Sequence, residues 1–283
     1  MEPIGASAST AVFLACLANL SSPVMPENIT VGAQHVCALS VNGIVRCCGN
    51  NSRHQTEVPP QSRFSFVQAG YRMTCGVRLD GSALCWGGSK SSESPVSPPG
   101  LFTKVAVGVN HACGLRQAGE IVCWGQNDRQ QDRAPVGLFV DLGVGADHSC
   151  AVDQKGAVQC WAIDYHGETH AHVNESFTQV APGADHTCAL TTKGAVRCWG
   201  ELKAEVAVPP ESQRFTSITS GGFHSCALGR DQVARCWGSN TDGKAMPPSG
   251  KFKALSAKGN MSCGLRNNGK IECWGQLPET DHR

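Results

Sequence analysis

An excess of either charge is what this 283-residue sequence lacks: 24 Lys and Arg stand against 23 Asp and Glu, a formal net charge of +1. Such a chain has no overall field to gather nucleic acid or an anionic membrane surface. Charged residues are sparse at 17%, whereas hydrophobic ones reach 41%, which excludes a highly charged disordered chain. Stretches with helical 3.6-residue periodicity are missing. The apolar run from Ser9 to Ala18 is too short to span a bilayer, so no membrane insertion is expected. There is no Ser-His-Asp grammar, no phosphate loop and no pair of carboxylates in a shaped context. The expectation is a protein with no catalytic centre, no cofactor and no resident metal. Two things are plentiful. Gly and Pro total 47 residues, which argues for many turns, and there are 16 cysteines.

The abundance is organised as a repeat. Seven segments share one grammar, among them GVNHACGLRQAGEIVCWGQ, GADHTCALTTKGAVRCWGE and KGNMSCGLRNNGKIECWGQ. Their leading cysteines, Cys37, Cys75, Cys113, Cys150, Cys188, Cys226 and Cys263, are 37 or 38 residues apart. A Phe-x-x-Val/Ile-x-x-Gly segment precedes most units, as in Phe102–Gly108 and Phe215–Gly221, and a Pro-rich turn such as Pro59-Pro60 or Pro209-Pro210 precedes that. About 38 residues thus carry three or four short strands, the size of one propeller blade.

Each unit reads as a β-hairpin with a predictable register. In the fifth, Thr192-Lys193-Gly194 forms a three-residue loop with Gly194 in the left-handed position of a bulge. Leu190 then faces Val196, Ala189 faces Arg197, and Cys188 faces Cys198. Gly43, Gly81, Gly119, Gly156 and Gly269 fall at the same loop position; the sixth unit has Gln232 there, which predicts a strained turn.

Fourteen cysteines form seven C-x9-C pairs: Cys37/Cys47, Cys75/Cys85, Cys113/Cys123, Cys150/Cys160, Cys188/Cys198, Cys226/Cys236 and Cys263/Cys273. The register sets each pair directly opposite across two strands, within reach of a bridge. Three readings are open: one disulfide per blade in an oxidising compartment, pairs of buried thiols, or zinc ligands. The chain never uses Ala, Val or Ser at these fourteen sites, and nine intervening residues are unlike a zinc knuckle, which favours disulfides. Cys16 and Cys48 are left over. Cys48 stands where the other six units have Trp, and an extra Cys16/Cys48 bridge would tether the N-terminal segment.

The G-x-x-H-x-C-A-L-x-x-x-G-x-V-x-C-W-G unit resembles the regulator of chromosome condensation repeat family across residues 29–277. The resemblance implies an all-β, seven-bladed β-propeller. The cysteine-paired pattern looks like secreted members and like plant crinkly-type receptor ectodomains. The founding nuclear protein exchanges guanine nucleotide on a small GTPase and binds chromatin; no exchange-factor residues carry over, and no basic tail is present. The sequence around Val24–Gly32 has the pattern of the strand that precedes each hairpin, whereas nothing like it follows Trp274. The ring should therefore be closed by the N-terminal strand, bringing blade seven against blade one.

The expected organisation is a signal peptide or N-terminal segment over 1–22, one propeller over 23–278 and a tail over 279–283. The run at 9–18 has small residues after it for cleavage, but no basic leader, and Glu2 is acidic. Asn19, Asn28, Asn50, Asn174 and Asn260 begin glycosylation triplets, of which Asn260 falls in a strand region.

The hairpins vary little, so function belongs to the variable loops after each Trp-Gly. Candidate partner-binding residues there are Arg53, His54, Arg129, Arg133, Tyr165, His166, Asn240 and Asp242. The reading is a secreted or cell-surface, monomeric, non-catalytic propeller whose loop face binds a protein or glycan, with no nucleic acid. The alternatives are an intracellular exchange factor or regulator, and a metal-dependent enzyme using His166, His170 and His172.

Overall fold

The computed structural model describes residues 8–20, 26–88, 96–162, 164–171, 175–201 and 212–278. The alternating runs around each cysteine pair become strands, and each blade is a three-stranded antiparallel sheet in sequence order. The Phe-led segments, such as Phe64–Ala69 and Phe177–Pro182, are the inner strands; the His/Met-led segments are the middle ones; the Cys-Trp segments are the outer ones. Among the described residues the Pro-rich turns add no fourth strand.

Register follows the turn chemistry. Leu190 pairs with Val196, Ala189 with Arg197 and Cys188 with Cys198. The loop glycines lie at positive φ, Gly194 at 82°, for example, and Gln232 is forced into the same region at 66°. A side chain bearing a Cβ is strained there.

The opposed cysteines are joined blade by blade: Cys37 to Cys47, Cys75 to Cys85, Cys113 to Cys123, Cys150 to Cys160, Cys188 to Cys198, Cys226 to Cys236 and Cys263 to Cys273, with Cα atoms 4.0–4.1 Å apart. The alternative of paired buried thiols fails on burial as well as on bonding. The middle-strand cysteine of every pair is fully buried. On the outer strands only Cys85 is buried; Cys47, Cys123, Cys160, Cys198, Cys236 and Cys273 are half-buried. The outer strand is the rim of the blade, covered by fewer neighbours. Each bridge therefore ties this rim strand to the packed middle one, and neither sulfur is left to serve zinc.

The inner strands pack side by side around an axis, and that of blade one touches those of both blade two and blade seven. Backbone amides of the Gly-x-x-His turns link adjacent blades around the central opening: Ala33 donates to Gly70, Tyr71 to Gly108, Ala184 to Gly222 and Gly222 to Gly259, at 2.7–3.1 Å. At the seam Gly259 lies against Ala33, and the Val31 amide donates to Ser256 Oγ at 3.0 Å. Apolar clusters straddle the blade boundaries; Leu228 and Ala234 of blade six meet Phe252 and Trp274 of blade seven. Burial of both blade faces explains why the middle strands read as continuous buried runs.

One element stands outside the repeat. The run at 9–18 lies in a helix, α1 (Ala8–Leu20), although the sequence shows no polar-apolar stripe that would predict one. Phe13, Leu17 and Leu20 are buried against Val36, Met261 and Ile271, so α1 covers the seam between blades seven and one. Cys16 is bridged to Cys48 with Cα atoms 6.0 Å apart. Residues 1–7, 21–25 and 279–283 lie outside the described residues, as do the loop segments 89–95 and 202–211, His172 and Asn174. Asn260 is in the turn before the strand Met261–Arg266, not within a strand.

Candidate functional site: the loop face

Chain direction assigns the two faces. Inner strands end and middle strands begin at one face, so the Gly-x-x-His turns lie there. Outer strands end at the same face, which therefore also carries the loops after Trp-Gly.

The repeated histidines are structural ties between blades. Each is almost fully buried and bonded through Nε2 to a hydroxyl one blade on: His35 to Thr74 at 2.8 Å, His111 to Ser149 at 3.1 Å, His148 to Thr187 at 2.8 Å, His186 to Ser225 at 2.8 Å and His224 to Ser262 at 2.6 Å. Desolvation drives their pKa values down to about 4 for His35, His111 and His186, and about 3 for His148 and His224. Two blades carry Met instead, Met73 and Met261. The residues at the receiving position of their next blades are Ala112 and Val36, which have no hydroxyl. The Met261–Val36 match independently pairs blade seven with blade one.

The glycine that opens each turn makes room for this histidine. A Cβ on Gly183 would lie 2.3 Å from the His186 ring. Blade seven, with no histidine, has Lys258 at that place. Its side chain is buried and crosses the centre of the ring, where Nζ donates to the Val144 carbonyl of blade four at 2.6 Å and stands 5.8 Å from the Tyr71 ring centroid. Burial lowers its pKa to about 8. Burial, and then Asp147 and Asp185, raise that of Tyr71 to about 12. A cavity of about 710 Å³ opens at the centre of the face, lined by residues including Gln34, Tyr71, Arg72, Phe223 and Asn260.

Four of the variable loops share a frame that the sequence reading missed. Asn51, Asn127, Asp164 and Asn240 each accept, through Oδ1, the amide five residues on. Four positions after these Asx residues come Gln55, Gln131, Glu168 and Lys244, all buried. Their backbone carbonyls accept the indole N–H of the next blade's Trp86, Trp161, Trp199 and Trp274 at 2.9–3.1 Å. The signal was present as an Asx residue four positions before a buriable Gln, Glu or Lys.

Within this frame the candidates separate. Asn240 is a frame residue. His54 occupies a positive-φ position (61°) and contacts Glu57 at 3.0 Å. Arg133 donates to Gln130 at 3.0 Å. Arg53, Arg129, His166 and Asp242 occupy equivalent loop positions, two before the buried frame residue. Arg129 reaches the next blade's turn and pairs with Asp147 at 2.7 Å. One blade further on, His166 lies with Asp185 and Glu201, their ligand atoms all within 4.8 Å of one another. Tyr165 is 67% exposed beside His166, available to a partner. The trio His166, His170 and His172 does not assemble among the described residues: His170 pairs instead with Asp164 at 3.0 Å, and His172 lies outside them. The eight candidates are thus dispersed over four loops around the face.

The description "Regulator of chromosome condensation (RCC1) repeat" matches residues 27–55, 102–131, 177–201 and 215–244. No curated protein matches the chain. Among solved structures, the entire ectodomain of the Physcomitrella patens receptor kinase CR4 is 24% identical with a TM-score of 0.77, covering 90% of this chain and 75% of its own. The CRINKLY WD40 ectodomain of the Arabidopsis thaliana receptor kinase ACR4 is 24% identical with a TM-score of 0.75, covering 89% and 98%. Prp20p from Saccharomyces cerevisiae, described with its binding to Gsp1p and histones, is 15% identical with a TM-score of 0.68, covering 90% and 83%. Among the described residues no helix is long and apolar enough to cross a membrane. The RCC1 repeat model thus matches four of the seven units, and the seven three-stranded blades, each with its cysteine pair, give this chain a seven-bladed β-propeller fold similar to that of these structures.

Proposed function

We propose that this protein is an extracellular, non-catalytic binding propeller that meets a protein or glycan through the face carrying the Gly-x-x-His turns and the Trp-Gly loops. The observation that carries the reading is the state of the cysteines: all sixteen are bridged, eight disulfides in all, and none is free. Such a set forms and persists in an oxidising compartment. The likeness to two receptor ectodomains supports the same location. Loops framed by hydrogen bonds on disulfide-stapled blades suit recognition, because less freedom remains to be lost on binding.

The test is export followed by capture. The chain, fused to a secretion signal, should leave the cell with its sulfurs bridged. It should then retain a partner from extracellular material of its source. Exchanging the 50–57 and 164–171 loops between blades should abolish retention while the fold persists. An intracellular chain with reduced cysteines that accelerates nucleotide release from a small GTPase would replace this reading with that of a regulator.

A further inference from the structure

We propose that His166, Asp185 and Glu201 form a binding site for a first-row divalent cation, zinc being the best match, at the junction of blades four and five on the loop face. The proposal goes beyond the extracellular reading and does not depend on it.

Three separate segments bring the ligands together: the blade-four loop, the blade-five turn and the end of the blade-five outer strand. Each is fixed by its backbone. The His166 amide donates to the buried carboxylate of Glu168 at 2.7 Å. The Glu201 amide donates to the Asp185 carbonyl at 2.7 Å, which holds the two acids side by side. His166 Nε2 lies 3.6 Å from a Glu201 carboxylate oxygen. Two ligands about 2.1 Å from a tetrahedral zinc are about 3.4 Å apart, so this pair needs little adjustment. One imidazole and two carboxylates form a donor set that suits zinc.

Comparison with the neighbouring junction distinguishes the trio from an ordinary surface ion pair. There, the equivalent loop residue is Arg129 and the turn residue is Asp147; a guanidinium already answers the acid at 2.7 Å. At the second junction the loop supplies a metal-binding imidazole in place of the fixed cation, and Glu201 adds another carboxylate. The surroundings are negative: Glu201, Glu168 and Asp147 all lie near enough to Asp185 to act on it electrostatically. A divalent cation relieves that repulsion. Three protein ligands leave one tetrahedral position open to the face, where a water or a carboxylate or imidazole of a partner can complete the shell. The sixteen cysteines offer no competing thiolate because all are bridged.

The experiment is calorimetric titration of the full-length, fully oxidised chain with zinc chloride, beside His166→Ala, Asp185→Asn, Glu201→Gln and His170→Ala. The site predicts one equivalent bound at micromolar or lower concentration, at least tenfold weaker binding in each of the first three variants, and unchanged binding in His170→Ala. Absence of saturable binding, or equal loss in His170→Ala, would overturn it. A readout on the unaltered chain covers variants that fail to fold: zinc should protect His166 from diethylpyrocarbonate, mapped by peptide mass spectrometry. Equal modification with and without saturating zinc would also overturn the assignment.

Discussion

His35 of blade one holds Thr74 of blade two, Nε2 to Oγ1, at 2.8 Å inside the wall of the ring. Four further junctions repeat this bond, and the two junctions led by Met73 and Met261 set a thioether against Ala112 and Val36 instead. Polar and apolar junctions are alternative solutions to one packing problem, since a buried imidazole needs a partner and a thioether does not.

Removing one side of a polar junction should therefore cost more than removing both. Thr74→Val leaves the His35 ring buried without its hydroxyl and should lower unfolding free energy by about 1–3 kcal/mol. His35→Met combined with Thr74→Val should recover most of that loss by reproducing the Met261–Val36 arrangement. Denaturant unfolding of the two single variants and the double variant checks this as a thermodynamic cycle.

Acid should weaken the fold in a defined window. The five histidines are neutral when folded, with pKa values of about 3 to about 4, and ionise near 6.5 when unfolded. Their contribution is complete above pH 6.5 and is lost as pH falls towards 4, at about 1.4 kcal/mol per pH unit for each fully differing histidine. Thermal melts from pH 7.5 to 4 should show the decline, with a shallower slope in the double variant His35→Met/Thr74→Val. A flat profile would contradict the burial of these rings.

Lys258 acts at alkaline pH. Its pKa is about 8 in the fold and near 10.4 when free. Between pH 8 and 10 the unfolded chain binds the proton that the folded chain has released, so this lysine makes stability rise by about 1 kcal/mol per pH unit. Tyr71, held near 12, opposes the trend only above pH 10; His111 and His148, which also sense Lys258, are already neutral. Lys258→Met should remove the rise, measured by denaturant titration at pH 8, 9 and 10.

The Cys16–Cys48 bridge should act on the seam. Its sequence separation is 32 residues, and opening a loop of that size removes about 3–4 kcal/mol in the chain-entropy account. A Cys16→Ser/Cys48→Ser variant should melt earlier and expose α1 to protease, while the seven blade bridges keep each blade intact. Limited proteolysis with mass mapping reports the cleavage site.

Much of this was legible in the repeat. Gly194 set the hairpin register and hence the opposition of Cys188 and Cys198, because a three-residue turn allows few alternatives. The unequal burial of the two was not legible, since it depends on which strand becomes the rim. The His–hydroxyl ties were also legible, as residues about 38 positions apart that change together, but they emerge only when neighbouring units are compared. Lys258 was harder. Its sequence position marks a broken glycine pattern, yet its partner Val144 lies across the ring, 114 residues away. The His166, Asp185 and Glu201 convergence likewise depends on the junction angle between two blades, which local periodicity does not encode. Helix α1 escaped because an apolar Ala-Leu run has no face to reveal; what it covers is decided by the seam.

Non-reducing peptide mapping of protein recovered from its natural location tests the central claim most directly. Alkylation before reduction should label no cysteine, alkylation after reduction should label all sixteen, and the linked peptides should pair Cys16 with Cys48 and each leading blade cysteine with the one ten residues on. Blade cysteines labelled before reduction, or bridges linking different blades, would contradict an extracellular propeller stapled within each blade.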